Sequence, residues 1–229
     1  MLRPKKKISK KEIKEDRLIT WYAEVTGLYE KYKKNIHIGI GAVAIIVLAI
    51  VVYVKNQADN ETIAAAQFAK VFTLFDAGSY REAVDGIPER NVPGLKAIVE
   101  NYGSTPSGEI ARFYLANSLY NLGRYDEALE MFEDFSPADD LLAISRYGGI
   151  AQCHEVRKEY GEAAKAYEMA ASKNPNDLSV AENLHHAARN YALAGDKQKA
   201  LDLYRRLKKA HSATPFGREA DRYIALLSA

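Results

Sequence analysis

Three adjacent pairs of side chains are of types that do chemistry in other proteins: Asp139-Asp140, Cys153-His154 and His185-His186. Each would need help to do it. A zinc site takes three or four converging nitrogen, sulfur or carboxylate ligands. Consecutive residues on a helix or turn point to different sides, so none of these pairs can close such a site alone. No H-E-x-x-H pattern, no glycine-rich phosphate loop and no second cysteine supplies the missing groups. The expectation is therefore no catalytic, cofactor-binding or metal-ligating residue and no enzyme; an enzymatic reading would need an activity lost on changing His185 or Asp139. Cys153, the single cysteine, excludes an internal disulfide framework, and its apolar neighbours place it in a core.

The elements around these pairs are helices in a recurring pattern. Leu122-Gly123-Arg124-Tyr125-Asp126-Glu127-Ala128-Leu129, followed by Phe132, has three partial copies. They are Ala77–Val84, Glu159–Ala164 with Tyr167, and Ala194–Leu201 with Tyr204. The aligned alanines Ala83, Ala128, Ala163 and Ala200 lie 45, 35 and 37 residues apart. Twelve positions before them stand Val71, Ala116, Ala151 and Ala188. Small residues at both positions allow two helices to approach closely. Gly123 and Gly195 can end the first helix of a pair by taking positive φ. A second echo, Thr105-Pro106-Ser107-Gly108 against Thr214-Pro215-Phe216-Gly217, recurs after 109 residues. Threonine caps and proline opens a helix, so both copies predict a helix start. The long first spacing predicts an extra helix over 94–102, and 218–227 predicts a final capping helix. The alternative is a non-repeating helical bundle.

A different segment precedes the repeats. Ile36 to Val54 is 19 uncharged residues, twelve of them Ile, Val or Leu. As a helix it covers roughly 28 Å, close to a bilayer's hydrocarbon thickness. Residues 1–35 carry eleven Lys or Arg against five acidic residues, a net +6, while residues 55–229 carry 21 against 25, a net −4. Positive loops stay in the cytoplasm, which predicts an internal N-terminus and an exported C-terminal part. The long segment before the run, and the lack of a small-residue cleavage site directly after it, argue for an anchor rather than a cleaved signal. Residues 1–11 predict a disordered basic arm, and 12–34 an amphipathic helix with Ile13, Trp21, Val25, Leu28 and Tyr32 on one side. That helix can meet anionic lipid or serve only as a topology signal. No nucleic-acid partner is expected, since the membrane accounts for the charge. The domain plan is 1–35 cytoplasmic segment, 36–54 transmembrane helix, 55–63 linker and 64–229 exported repeat domain.

The repeated glycine, aromatic and alanine positions resemble the tetratricopeptide repeat (TPR), a helix-turn-helix unit of 34 residues, with Pro175 where that family's helix-ending proline belongs. The resemblance implies an all-α solenoid of about four helix pairs. It further implies a concave face formed by the first helix of each pair, which binds extended or helical peptide. On that face the alignment puts Phe68, Phe72, Phe75, Phe113, Asn117, Tyr120, Asn121, Gln152, Glu155, His185 and Arg189. Packing between helices is the competing role for the three early phenylalanines. Phe113 occupies the place of an expected lysine beside Asn117, which disfavours the carboxylate clamp some relatives carry. With the single anchor and basic segment, the layout also resembles the YfgM-like envelope proteins. That resemblance implies a scaffold at a bacterial inner membrane with the repeats in the periplasm, and the Sec translocon or periplasmic chaperones as protein partners. The alternative is a structural subunit of another envelope complex, in division, outer-membrane biogenesis or energy conversion. No small-molecule substrate is implied.

Overall fold

The computed structural model describes residues 10–175 and 178–229, with side chains from Ile19 onward. The basic arm up to residue 9, the side chain of Ile13, and Asn176 and Asp177 beside Pro175 lie outside the described residues. The chain divides into two compact units, Met1–Gln57 and Ala58–Ala229. Helix α1 (Lys10–Asp76) contributes to both.

In the first unit every side chain of the run Ile36 to Val54 is exposed, as are Trp21, Tyr22, Leu28 and Tyr32. The most apolar part of this helix has no buried residue and is long and apolar enough to cross a membrane. His37, the one imidazole in the run, donates from Nδ1 to the Lys33 carbonyl at 2.6 Å, which satisfies one of its polar atoms within the helix.

The second unit begins earlier than the pattern predicts. Residues 55–63, expected as a linker, are helix within α1. No glycine or proline interrupts them, and Ala64 to Ala66 follow. Glu61 has a tertiary role: its carboxylate accepts from the Ser107 backbone N–H at 2.9 Å and from the Ser107 hydroxyl at 2.7 Å. That carboxylate sits at the start of α4 (Pro106–Asn121), where free N–H groups and the helix dipole favour negative charge.

The remaining elements follow as antiparallel helix pairs. The C-terminal part of α1 meets the short α2 (Tyr80–Asp85) through the rings of Phe75 and Tyr80, 5.6 Å apart, while α4 pairs with α5 (Tyr125–Asp134), α6 (Asp140–Val156) with α7 (Tyr160–Lys173), and α8 (Val180–Leu193) with α9 (Lys197–Ala210). Helix α10 (Pro215–Ser228) packs on α9 and α8. Between α2 and α4 lie a two-stranded hairpin, β1 (Gly86–Ile87) with β2 (Val92–Pro93), and the predicted extra helix, α3 (Leu95–Tyr102). The sequence pattern carries no strand signal after residue 60. The hairpin is only two residues per strand, too short for alternation to register, and turns through Asn91 at φ 51°. Thr105 and Thr214 both cap as expected, each hydroxyl accepting from the N–H three residues on. Asp139 caps α6 by accepting from Leu142 N–H at 2.8 Å, a structural role for one of the paired carboxylates.

One continuous core runs from Val71 on α1 to Ala220 on α10. Ala83, Ala128, Ala163 and Ala200, and twelve positions before them Val71, Ala116, Ala151 and Ala188, are all fully buried. Each first helix ends in the same two bonds. In the second repeat these are Gly123 N–H to the Tyr120 carbonyl and Arg124 N–H to the Leu119 carbonyl; Gly78 and Gly195 repeat them, as does Lys158. The glycines take φ 73°, 75° and 86°, and Lys158 takes φ 61°. A Cβ in the left-handed region costs about 1–2 kcal/mol. Lys158 bears that cost in the one repeat that lacks glycine here. Lys158→Gly is therefore expected to stabilise the unit by about 1 kcal/mol, raising the thermal midpoint by about 2–4 °C. A lower midpoint by calorimetry would show that the lysine side chain contributes more than its backbone loses.

Candidate peptide-binding groove

The first helices α4, α6 and α8 share a cavity. Helical spacing brings Phe113 and Asn117 of α4, Ile144, Gly148 and Gln152 of α6, and Asn183 and His186 of α8 around a cavity of about 380 Å³. Tyr167 of α7 closes its back and stacks on His186 with ring centres 5.0 Å apart. Phe113 is fixed from behind by Phe135 at 5.4 Å and Phe132 at 6.0 Å. Asn117 donates to the Phe113 carbonyl at 2.8 Å, and Asn183 to the Ser179 carbonyl at 3.0 Å. Asn183 also donates to the Ser179 hydroxyl at 3.3 Å, so each amide keeps its oxygen for other partners and Asn117 one further N–H as well.

Next to the cavity, Glu155 ties three helices together. Its carboxylate accepts from Arg189 and from the fully buried Asn190, both on α8, and from the Tyr167 hydroxyl of α7 at 3.3 Å. Burial alone would raise the pKa of this carboxyl. The hydrogen bonds from Asn190 and Arg189 and the Arg189 charge outweigh burial and hold it below the ordinary 4.5.

Of the residues expected on this face, Phe113, Asn117 and Gln152 line the cavity, and Glu155 and Arg189 flank it as an ion pair. Asn121 is exposed one turn beyond and donates to the Asn117 carbonyl. Tyr120 is half-buried, its ring 5.3 Å from that of Tyr125 across the turn. Phe68, Phe72 and Phe75 do not join the cavity. They gather around Tyr114 at 5.3, 5.3 and 4.8 Å and join α1 to α4, with Phe72 still 36% exposed. His185 also lies elsewhere. It is 9% exposed in a box formed by Tyr204 of α9 and Phe216 and Tyr223 of α10, and burial followed by the charges of His186 and Arg189 lowers its pKa. The adjacent His186 takes the groove position. Two adjacent histidines differ by one helical step, and the sequence pattern carries no signal to choose between them. Ile144, Gly148 and Asn183 join the groove without having been expected there; spacing of three and four residues from Gln152 and His186 would have found them.

Cys153 is fully buried on α6, and burial pushes its thiol up to about 11, so it carries no thiolate at neutral pH. Among the described residues no three His, Cys, Asp or Glu side chains are placed to hold a metal ion.

A tetratricopeptide repeat family model matches residues 111–136 and 182–214, which fall on α4–α5 and on α8–α9 with the turn that follows. These two stretches match the tetratricopeptide repeat. Two solved structures share the fold, both of a Podosopora anserina protein described as a putative kinesin light chain with nearly identical TPR-like repeats. One is 17% identical with a TM-score of 0.55, covering 73% of this chain and 86% of that one. The other, a substituted form of the same protein, is 18% identical with a TM-score of 0.53, covering 73% and 85%. No curated protein matches the chain in sequence. Repeats of this kind make a protein–protein interaction scaffold.

Glu155 offers a direct test of how the groove wall is held. Glu155→Ala leaves one N–H of buried Asn190 without its acceptor, the amide still donating to the His186 carbonyl, and should destabilise the unit by about 1–3 kcal/mol. A carboxyl with a lowered folded pKa contributes above its unfolded pKa and loses that contribution as pH falls through the folded value. The gap in thermal midpoint between wild type and Glu155→Ala should therefore be full at pH 7 and close below about pH 4.5. A gap independent of pH would show that lost packing, not charge, is responsible.

Proposed function

We propose that the protein is a single-span scaffold of a bacterial inner membrane, with its repeat unit in the periplasm and its groove open to a protein partner. The observation that carries this reading is the pairing of an exposed, uncharged 19-residue helical run with a repeat unit that has an open inner face. The charge difference across the run, +6 before it and −4 after it, supports an internal N-terminus. The groove works by binding without chemistry. Anchoring it restricts the search for a membrane partner to two dimensions and raises the effective concentration. By its YfgM-like layout the partner is the translocation machinery or a periplasmic chaperone.

The second reading, a structural subunit of another envelope complex, is favoured by the exposed aromatic and apolar stripe Trp21, Val25, Leu28 and Tyr32, a surface a neighbouring membrane subunit can cover. The two differ in stoichiometry. A photo-crosslinking amino acid at Gln152, in native membranes, should capture translocon subunits or a chaperone, while one at exposed Met169 on α7 should not. Capture at both positions of one fixed-stoichiometry complex supports the structural-subunit reading instead. A carboxyl-terminal reporter active only in the cytosol rules out the topology and both readings with it.

A further inference from the structure

Helix α6 contains two consecutive interior glycines, Gly148 and Gly149. Each weakens a helix relative to alanine. Gly149 has a packing reason, because a Cβ there would run into the Phe132 ring. Gly148 has none: a Cβ on it would meet nothing within 4 Å. It forms the floor of the cavity between α4, α6 and α8. A residue that costs helix stability and fills no gap is accounted for when something outside the helix must approach its backbone closely.

The walls say what that is. Among the described residues, no lysine or arginine lines the cavity. Its titratable lining residues are Glu182 and His186, 3.8 Å apart, and Tyr167; beyond it Glu155 is already paired with Arg189. A terminal carboxylate or an acidic segment therefore finds no cation there. The polar groups that remain are the amides Asn117 on one wall, Gln152 beside the floor and Asn183 opposite, and the hydroxyls of Ser145 and Ser179, which already bond to the Leu141 carbonyl and to the Asn183 amide. Amides match the donors and acceptors of a peptide backbone, and Phe113 and Ile144 supply an apolar seat between them.

Deepening the scaffold reading, on which it rests, we infer that the groove takes an internal, uncharged stretch of extended polypeptide. One apolar side chain is seated against Phe113 and Ile144, with the main chain crossing Gly148 and hydrogen-bonding to Asn117, Gln152 and Asn183. The ligand is chosen by an apolar residue in a neutral context, not by a chain end.

The full-length chain in nanodiscs can be panned against two decapeptide libraries, one blocked at both ends and one with free carboxyl termini. The blocked library should enrich peptides with one central aliphatic or aromatic residue and uncharged neighbours. Gly148→Ala should weaken the selected peptide at least tenfold while raising the thermal midpoint by about 2 °C, because alanine favours the helix and meets no clash. Gly148→Trp should abolish binding. Loss of affinity with gain of stability is an outcome that a merely structural glycine cannot give. Enrichment from the free-carboxyl library alone, selected peptides rich in charge, or affinity unchanged in Gly148→Trp would each overturn the inference. A partner captured at Gln152 in membranes yet unaffected by Gly148→Trp leaves the scaffold reading standing while this one falls. Enrichment from neither library, with no partner captured in membranes, removes both.

Discussion

The close contact between paired helices is the constraint on which the repeat unit depends. At the repeated positions of the paired helices, Ala116 and Ala128, Ala151 and Ala163, and Ala188 and Ala200 are all without solvent exposure. A larger side chain at any of these places would push two helices apart and shift every later repeat, because each pair is positioned only by its neighbours. Asn117 and Asn183 stand on helices two repeats apart and line the same cavity.

The first pair departs from this scheme. Val71 replaces the alanine, α2 has only six residues, and the hairpin and α3 follow it, with α3 packed on α2 and α4. Its connection to the second pair comes from side chains of another kind, the rings of Phe68, Phe72 and Phe75 around Tyr114. Aromatic contacts of this type contribute about 0.5–1.5 kcal/mol each beyond their buried area. They make a seam that tolerates the irregular insertion better than an alanine contact would.

Most of this architecture is legible in the sequence because its signals are local. Glycine before an aromatic residue marks a helix end, Thr-Pro marks a helix start, and small residues at a fixed spacing mark a helix contact. The helices over 95–102 and 215–228 and the buried Cys153 follow from such rules. What escapes depends on three-dimensional neighbours. Lys158 adopts a glycine conformation because the bonds of the turn around it demand one. His185 turns into the capping helix and His186 into the groove, a choice made by Tyr204, Phe216 and Tyr223, which are distant in sequence. The helical state of 55–63 is hidden because polar residues after an apolar run look like a linker until Glu61 is seen to reach Ser107. The early phenylalanines are ambiguous for the same reason: periodicity gives a face, but not what covers it.

That bond between Glu61 and Ser107 has a kinetic side. Almost every other helix packs on the one before it in sequence, so its contacts close short loops and form early. Glu61 and Ser107 are separated by 46 residues, and bringing them together costs more chain entropy. In the order of assembly, the later pairs can zip up among themselves first. The stretch of α1 beyond Ala58 then docks as a latch onto an array that has already taken form.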